Sequence, residues 1–204
     1  MTTRFHRGDL PADYRPGLSV ALDTETLGLN PHRDRLCVVQ LSTGDGTADV
    51  VQIPRDGPRP ETLIRVLADE SVLKIFHFAR FDLAVLFHAL GVMPRPVYCT
   101  KIASRLARTY TDRHGLKDLV RDLLGFELSK QQQSSDWGAE ILTPAQLDYA
   151  ASDVLHLHAL KDRLDAVLER ENRHGIAQNC FGFLPTRAQL DLLGWADTDI
   201  FSHS

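Results

Sequence analysis

The sequence predicts an α/β protein. A mixed sheet of five or six strands, an antiparallel meander followed by parallel crossovers, carries helices packed on it. Three observations lead there. Apolar runs of strand length crowd the front of the chain with short turn signals between them. Behind them, strand-like runs alternate with stretches of helical period. A long helical pattern then follows.

Taken in order, "GLSVALDTETLGL" (17–29) runs apolar into a polar turn, as a core strand does. "RLCVVQLST" (35–43) and "ADVVQI" (48–53) flank a "GDG" turn signal and form a hairpin. The pattern then changes. "ETLIRVLAD" (61–69) is a helix, "VLKIFHF" (72–78) a buried strand, and "DLAVLFHALG" (82–91) a helix stopped by Gly91. "PVYCT" (96–100) is a short strand leading into the helix "KIASRLARTY". In "GLKDLVRDLLG" (115–125), Leu116, Leu119, Val120, Leu123 and Leu124 keep helical spacing up to Gly125. "FELSKQQQSSDWG" (126–138) is polar and aperiodic, a loop. Thr143, Pro144 and Gln146 make an N-terminal capping pattern for one helix over 145–173. The stretch 181–201 contains Gly182 and Pro185, so that helix has ended. Its Leu184, Leu190, Leu192, Leu193, Trp195 and Phe201 require cover, either from the same domain or from another subunit.

The 204 residues fit a single domain, with a core over about 17–173 and an extension over about 175–204. With 43% hydrophobic and 25% charged residues, the composition is that of a globular chain. No apolar run approaches the roughly 20 residues of a membrane span. The first residues lack the apolar region of a signal peptide, so a soluble cytoplasmic protein without membrane partners is expected. Cys37, Cys99 and Cys180 are odd in number and widely spaced, which fits reduced, packed thiols. A formal charge of −4 disfavours a protein that tracks long nucleic acids, whose affinity rests on phosphate contacts. A short nucleic acid or a locally basic groove remains compatible.

The chemistry lies in three places. Asp23 and Glu25 end the first core strand, and at i and i+2 they project from one face. Two like charges so placed repel, and a divalent cation removes the difficulty, since hard cations prefer carboxylate oxygens. Asp82 interrupts the otherwise apolar "HFARFDLAVL" (77–86); alone it is equally a helix-start acid favoured by the dipole. Tyr149 and Asp153, at i and i+4, share one helix face. Four carboxylates and a phenol suit two metal ions about 3.5–4 Å apart for in-line phosphoryl chemistry. Tyr149, neutral near pH 7 with an ordinary pKa of about 10, would orient the attacking water.

In this order and spacing, the motifs resemble the DEDD 3′–5′ exonuclease superfamily, which implies a ribonuclease H-like fold. The tyrosine points to the DEDDy branch, because the histidine branch needs His where this chain has Asp148. "CVVQLST", "IFHFARFDLAVL", "GLKDLVRDLLGFELSKQQQSSDWG" and "LTPAQLDYAASDVLHL" extend the resemblance to the ribonuclease D family over about residues 17 to 170. It implies Asp23, Glu25, Asp82 and Asp153 as ligands of two divalent ions, Mg2+ or Mn2+, with Tyr149 completing the catalytic set. Two departures stand out: His77 replaces the usual Asn, and Cys99 replaces an acid outside the metal set.

The compact chain with its His-containing motif resembles the short single-domain bacterial nano-RNases. That resemblance implies hydrolysis of very short RNA, especially dinucleotides including pGpG, to 5′-mononucleotides, by a ring-shaped homo-octamer. A broader exonuclease on single-stranded RNA or DNA, of ribonuclease D type, is the alternative. A non-catalytic nucleic-acid-binding protein would not need the full acidic set. Candidates for substrate contact are Thr24 between the two acids, Leu27 as a wedge against a base, His77, and Lys130, Gln132 and Trp137 in the polar loop. Arg105 and Arg108 are expected on a solvated helix face.

Overall fold

The computed structural model describes residues 2–128, 132 and 134–203. Its sheet has six strands in the order β1 (Thr2–Arg7), β4 (Thr47–Gln52), β3 (Leu36–Ser42), β2 (Ser19–Thr26), β5 (Leu73–Phe76) and β6 (Val97–Cys99). The β2–β3 and β3–β4 pairs are antiparallel, which is the expected meander. The β2–β5 and β5–β6 pairs are parallel, the expected crossovers. The sheet is the mixed one of the ribonuclease H-like fold. β1 was not foreseen. "TTRFHR" has no apolar alternation, and it holds its place by pairing in parallel with β4 and by the Arg4 and His6 contacts to the buried Asp49.

Every residue of β3 is buried, because helices cover both faces of the sheet. Val38 and Val50 belong to a small cluster with Trp137, Leu142 and Ala150. Their neighbours Val39 and Val51 belong to the main core with α1 (Glu61–Ala68) and α2 (Ala79–Leu90). α2 ends at Gly91, where a φ of 71° suits a residue without Cβ.

After β6, α3 (Thr100–Ala107) and α4 (Leu116–Leu119) follow. α4 widens into a π-helical turn over Val120–Leu124 before Gly125. Arg108, expected on a solvated face, is instead buried, donating to Asp122 at 2.7 Å and to the Arg113 carbonyl at 3.0 Å.

The expected helix over 145–173 is two helices, α5 (Pro144–Leu155) and α6 (Leu157–Arg170), breaking at His156 where φ is −103° and ψ −6°. The capping box at Thr143 and Gln146 forms as the sequence indicates. Helix then returns where Gly182 and Pro185 spoke against it. α7 (His174–Leu190) buries Phe181, Leu184, Pro185 and Ala188 among the core residues, and that burial outweighs a missing backbone hydrogen bond at the proline. Part of the apolar C-terminal stretch is thus covered from within, while Leu193, Trp195 and Phe201 stay exposed. All three thiols are unpaired. No helix of the described residues is long and apolar enough to cross a membrane.

Candidate active site

The sheet brings the acids together at the C-terminal end of β2. Asp23 stands opposite Gln40 of β3, Glu25 opposite Val38, and the ladder bulges between Glu25 and Thr26. A bulge there turns the chain away from the sheet just beyond the two carboxylates. α5 runs across β2, β3 and β4 and presents Tyr149 and Asp153 from the facing layer. One carboxylate oxygen from each of Asp23, Glu25 and Asp153 falls within 4.8 Å of the others.

Asp82 lies beside this group in the first turn of α2, where the helix dipole favours an acid. It is 3% exposed, and its Oδ1 accepts a hydrogen bond from Thr24 Oγ1 at 2.7 Å. α2 begins abruptly, because Phe78 takes a left-handed conformation at φ 68° and ψ 44°. That geometry costs a non-glycine residue about 1–3 kcal/mol, and it joins β5 to a helix whose first turn carries the acid. The Lys101 ammonium stands 4.4 Å from the centre of the Phe78 ring.

A cleft of about 700 Å³ opens over Asp23, Glu25 and Asp153, while Asp82 is not part of its lining. Asp23, Glu25, Leu27, His77, Tyr149 and Asp153 line it, together with Leu116, Lys117, Ser134 and Ser135. Thr24 borders it too, though its hydroxyl is committed to Asp82. Leu27 is half exposed and so close to Gly138 that a Cβ there would stand 2.6 Å from its Cδ2. Trp137 lines the cleft as well, though it is almost fully buried, and its ring lies 6.0 Å from that of Tyr149. Gln132 sits in the turn before Ser134 and Ser135, outside the cleft lining, and Lys130 lies outside the described residues.

Burial without a cation leaves these acids reluctant to ionise. Desolvation, followed by the charges of Asp82, Asp153 and Glu25, lifts Asp23 well above the usual carboxylate range. Burial, then Asp153 and Asp82, pushes Glu25 up to about 9. Asp82 rises to about 7 through burial, opposed first by the Thr24 hydrogen bond. Asp153 also rises to about 7 through burial, offset in part by the Tyr149 phenol. Tyr149 is itself held far above its ordinary value by burial and then by Asp153, so it stays protonated. Among the described residues no Lys or Arg pairs with any of the four acids. Oxygen donors drawn together with nothing positive between them fit a hard divalent cation.

Two polar residues here escaped the sequence reading. Gln40 is fully buried and donates from Nε2 to Asp23 Oδ2 at 3.1 Å; its signal was one amide inside the apolar run "CVVQLS". Lys117 brings a cation to the cleft lining, and its signal was its place in the helical run between Leu116 and Leu119.

A family model described as 3′–5′ exonuclease matches residues 8–169. The structure of Brucella melitensis NrnC with bound Mg2+ is 62% identical over the whole of both chains, with a TM-score of 0.95. NrnC bound to pGG is 63% identical over the whole of both chains, at 0.96. Ribonuclease D of Granulibacter bethesdensis is 37% identical over 76% of this chain and 38% of its own. The chain thus spans about two fifths of the length of that relative. With the exonuclease match running through every one of the candidate acids, and NrnC matched from end to end, the chain belongs to the 3′–5′ exonuclease family, alongside ribonuclease D and NrnC.

Proposed function

We propose that the protein is a DEDDy-type 3′–5′ exoribonuclease that hydrolyses very short RNA, above all dinucleotides such as pGpG, to 5′-mononucleotides. The observation that carries this is the triad of Asp23, Glu25 and Asp153 oxygens within 4.8 Å, open to a cleft. The end-to-end likeness to a nuclease bound to pGG favours a short substrate. So does a formal charge of −4, which gives little hold on a long polyanion.

Asp23, Glu25, Asp82 and Asp153 would hold two divalent ions, Mg2+ or Mn2+. Bound there, such ions supply a water of lowered pKa and stabilise the charge on the leaving oxygen. The chain's own residues do the rest. Tyr149 keeps its proton, and its hydroxyl orients the attacking water beside Asp153. Leu27 stands at the cleft edge as an apolar surface for a base. Lys117, which lines the same cleft, neutralises a phosphate. Lys130 and Gln132 are assigned to substrate contact by their place in the polar stretch 126–138 of the sequence alone. Exposed Leu193, Trp195 and Phe201 give the C-terminal stretch an apolar face for a homo-oligomer, with an octamer as the expected ring. Finishing RNA decay is work for the cytoplasm.

The deciding experiment compares rates on 5′-labelled RNAs of two to about twenty nucleotides. Dinucleotides should be cut fastest. A flat length profile, or equal cutting of long single-stranded DNA, would replace this reading with a broad ribonuclease D-type exonuclease.

A further inference from the structure

His77 borders the cleft, and the bond from Thr100 to the Phe76 carbonyl favours a proton on its Nδ1. Nδ1 lies 2.9 Å from Thr100 Oγ1. That hydroxyl also lies 3.2 Å from the Phe76 carbonyl, which can only accept. Thr100 is fully buried and has one proton to give. With that proton on the Phe76 carbonyl, Oγ1 must accept from His77, so Nδ1 bears hydrogen and Nε2 a lone pair. Burial, followed by the charge of Lys101, lowers the His77 pKa to about 3, which keeps the ring neutral. Nε2 makes no hydrogen bond to the protein among the described residues, while the ring borders the cleft.

We propose that His77 is a substrate-reading residue whose Nε2 accepts a hydrogen bond from a hydroxyl of the substrate's terminal ribose. A neutral acceptor repels phosphate oxygens, which are acceptors themselves, so His77 does not bind the phosphate. A sugar hydroxyl is the donor that every ribonucleotide brings, whatever its base. Thr100 is then a positioning residue that acts through His77. The proposal rests on the reading of the chain as an exoribonuclease and narrows what its cleft recognises.

Two measurements test it. The first needs no turnover: long-range 1H–15N spectra of the histidine-labelled protein, with His77 assigned by its loss in His77→Asn. His77 should be the Nδ1–H tautomer between pH 6 and 8, and Thr100→Val should move it toward Nε2–H. Finding Nε2–H in the unaltered protein overturns the proposal.

The second compares kcat/KM on a diribonucleotide with its analogues lacking the terminal 2′- or 3′-hydroxyl. One analogue should be about three- to tenfold poorer, as expected for one neutral hydrogen bond. That penalty should vanish in His77→Phe and survive in His77→Asn, whose amide oxygen still accepts. Loss confined to the 2′-analogue identifies RNA-versus-DNA discrimination; loss confined to the 3′-analogue identifies recognition of the chain end. Penalties unchanged in a folded His77→Phe overturn the proposal. Should that variant not fold, Thr100→Val must shrink the same penalty or the proposal fails. An unaltered protein inactive on every RNA would defeat the exoribonuclease reading and leave the tautomer result standing.

Discussion

The hydroxyl of Thr24 donates to Oδ1 of Asp82 across 2.7 Å, tying the strand that carries Asp23 and Glu25 to the helix that carries Asp82. Both side chains are buried, at 6% and 3% exposure, so water cannot replace the bond. A hydrogen bond to a charged group contributes about 1.5–3 kcal/mol. Thr24→Val keeps the shape and removes the donor. It should lower Tm and weaken Mg2+ binding by at least tenfold in a calorimetric titration, whereas Thr24→Ser should restore both. If Thr24→Val binds Mg2+ like the unaltered protein, the bond does not organise the acids.

The raised carboxylates predict how Mg2+ and pH act together. Glu25 has an ordinary value of 4.5 and is pushed to about 9 in the fold, first by burial and then by Asp153 and Asp82. The metal-free fold therefore binds a proton that the unfolded chain has released. Its stability should fall as pH rises from about 4.5 through about 9. Asp82 and Asp153, both near 7, add to the fall over its lower part. A divalent ion takes the place of those protons, so the Tm gain on adding Mg2+ should be larger at pH 9 than at pH 6. Glu25→Gln should flatten the metal-free profile. A gain in Tm that is the same at both pH values would count against the acids as the binding groups.

Tyr149 predicts a separation of rate from binding. Its ring lies 6.0 Å from that of Trp137, and its hydroxyl stays protonated beside Asp153. Tyr149→Phe should preserve the ring contact and the Mg2+ affinity while lowering kcat by about 10²–10⁴, the range for a positioned proton-handling group. KM should stay within about threefold. A KM that rises while kcat holds would make the phenol a substrate contact instead.

Much of this site was legible because its pieces obey local rules. Asp23 and Glu25 at strand spacing, and Tyr149 and Asp153 at helix spacing, fix their shared faces before any tertiary contact exists. Thr143, Pro144 and Gln146 fix where α5 starts. Tertiary contacts decided the rest. β1 has no apolar alternation and is held by its parallel pairing with β4. Gly182 and Pro185 oppose a helix locally, yet α7 forms because Phe181, Leu184 and Ala188 are buried. The Thr100 hydroxyl that sets the His77 tautomer sits 23 residues away in sequence, beyond any local pattern.

The C-terminal stretch yields a final prediction through Arg80 and Asp191. Arg80 stands two residues before Asp82 and grips the Asp191 carboxylate with Nε at 2.5 Å and Nη2 at 2.7 Å. Arg187 shares Asp191 Oδ1 at 2.6 Å from the last turns of α7. Arg80 is about one third exposed, so solvent screens the pair, and its contribution to global stability should be about 1 kcal/mol or less. Its local effect should be larger, because it braces the first turn of α2 just after the left-handed Phe78. Asp191→Asn should therefore lower Tm by only a few degrees while weakening Mg2+ binding several-fold through a less firmly held Asp82. Arg80→Lys should show the same loss, since an ammonium cannot reproduce the two-pronged contact. Both are read by titrating Mg2+ against Tm. Unchanged Mg2+ affinity in both variants would mean that the C-terminal stretch covers the core without bracing the acids.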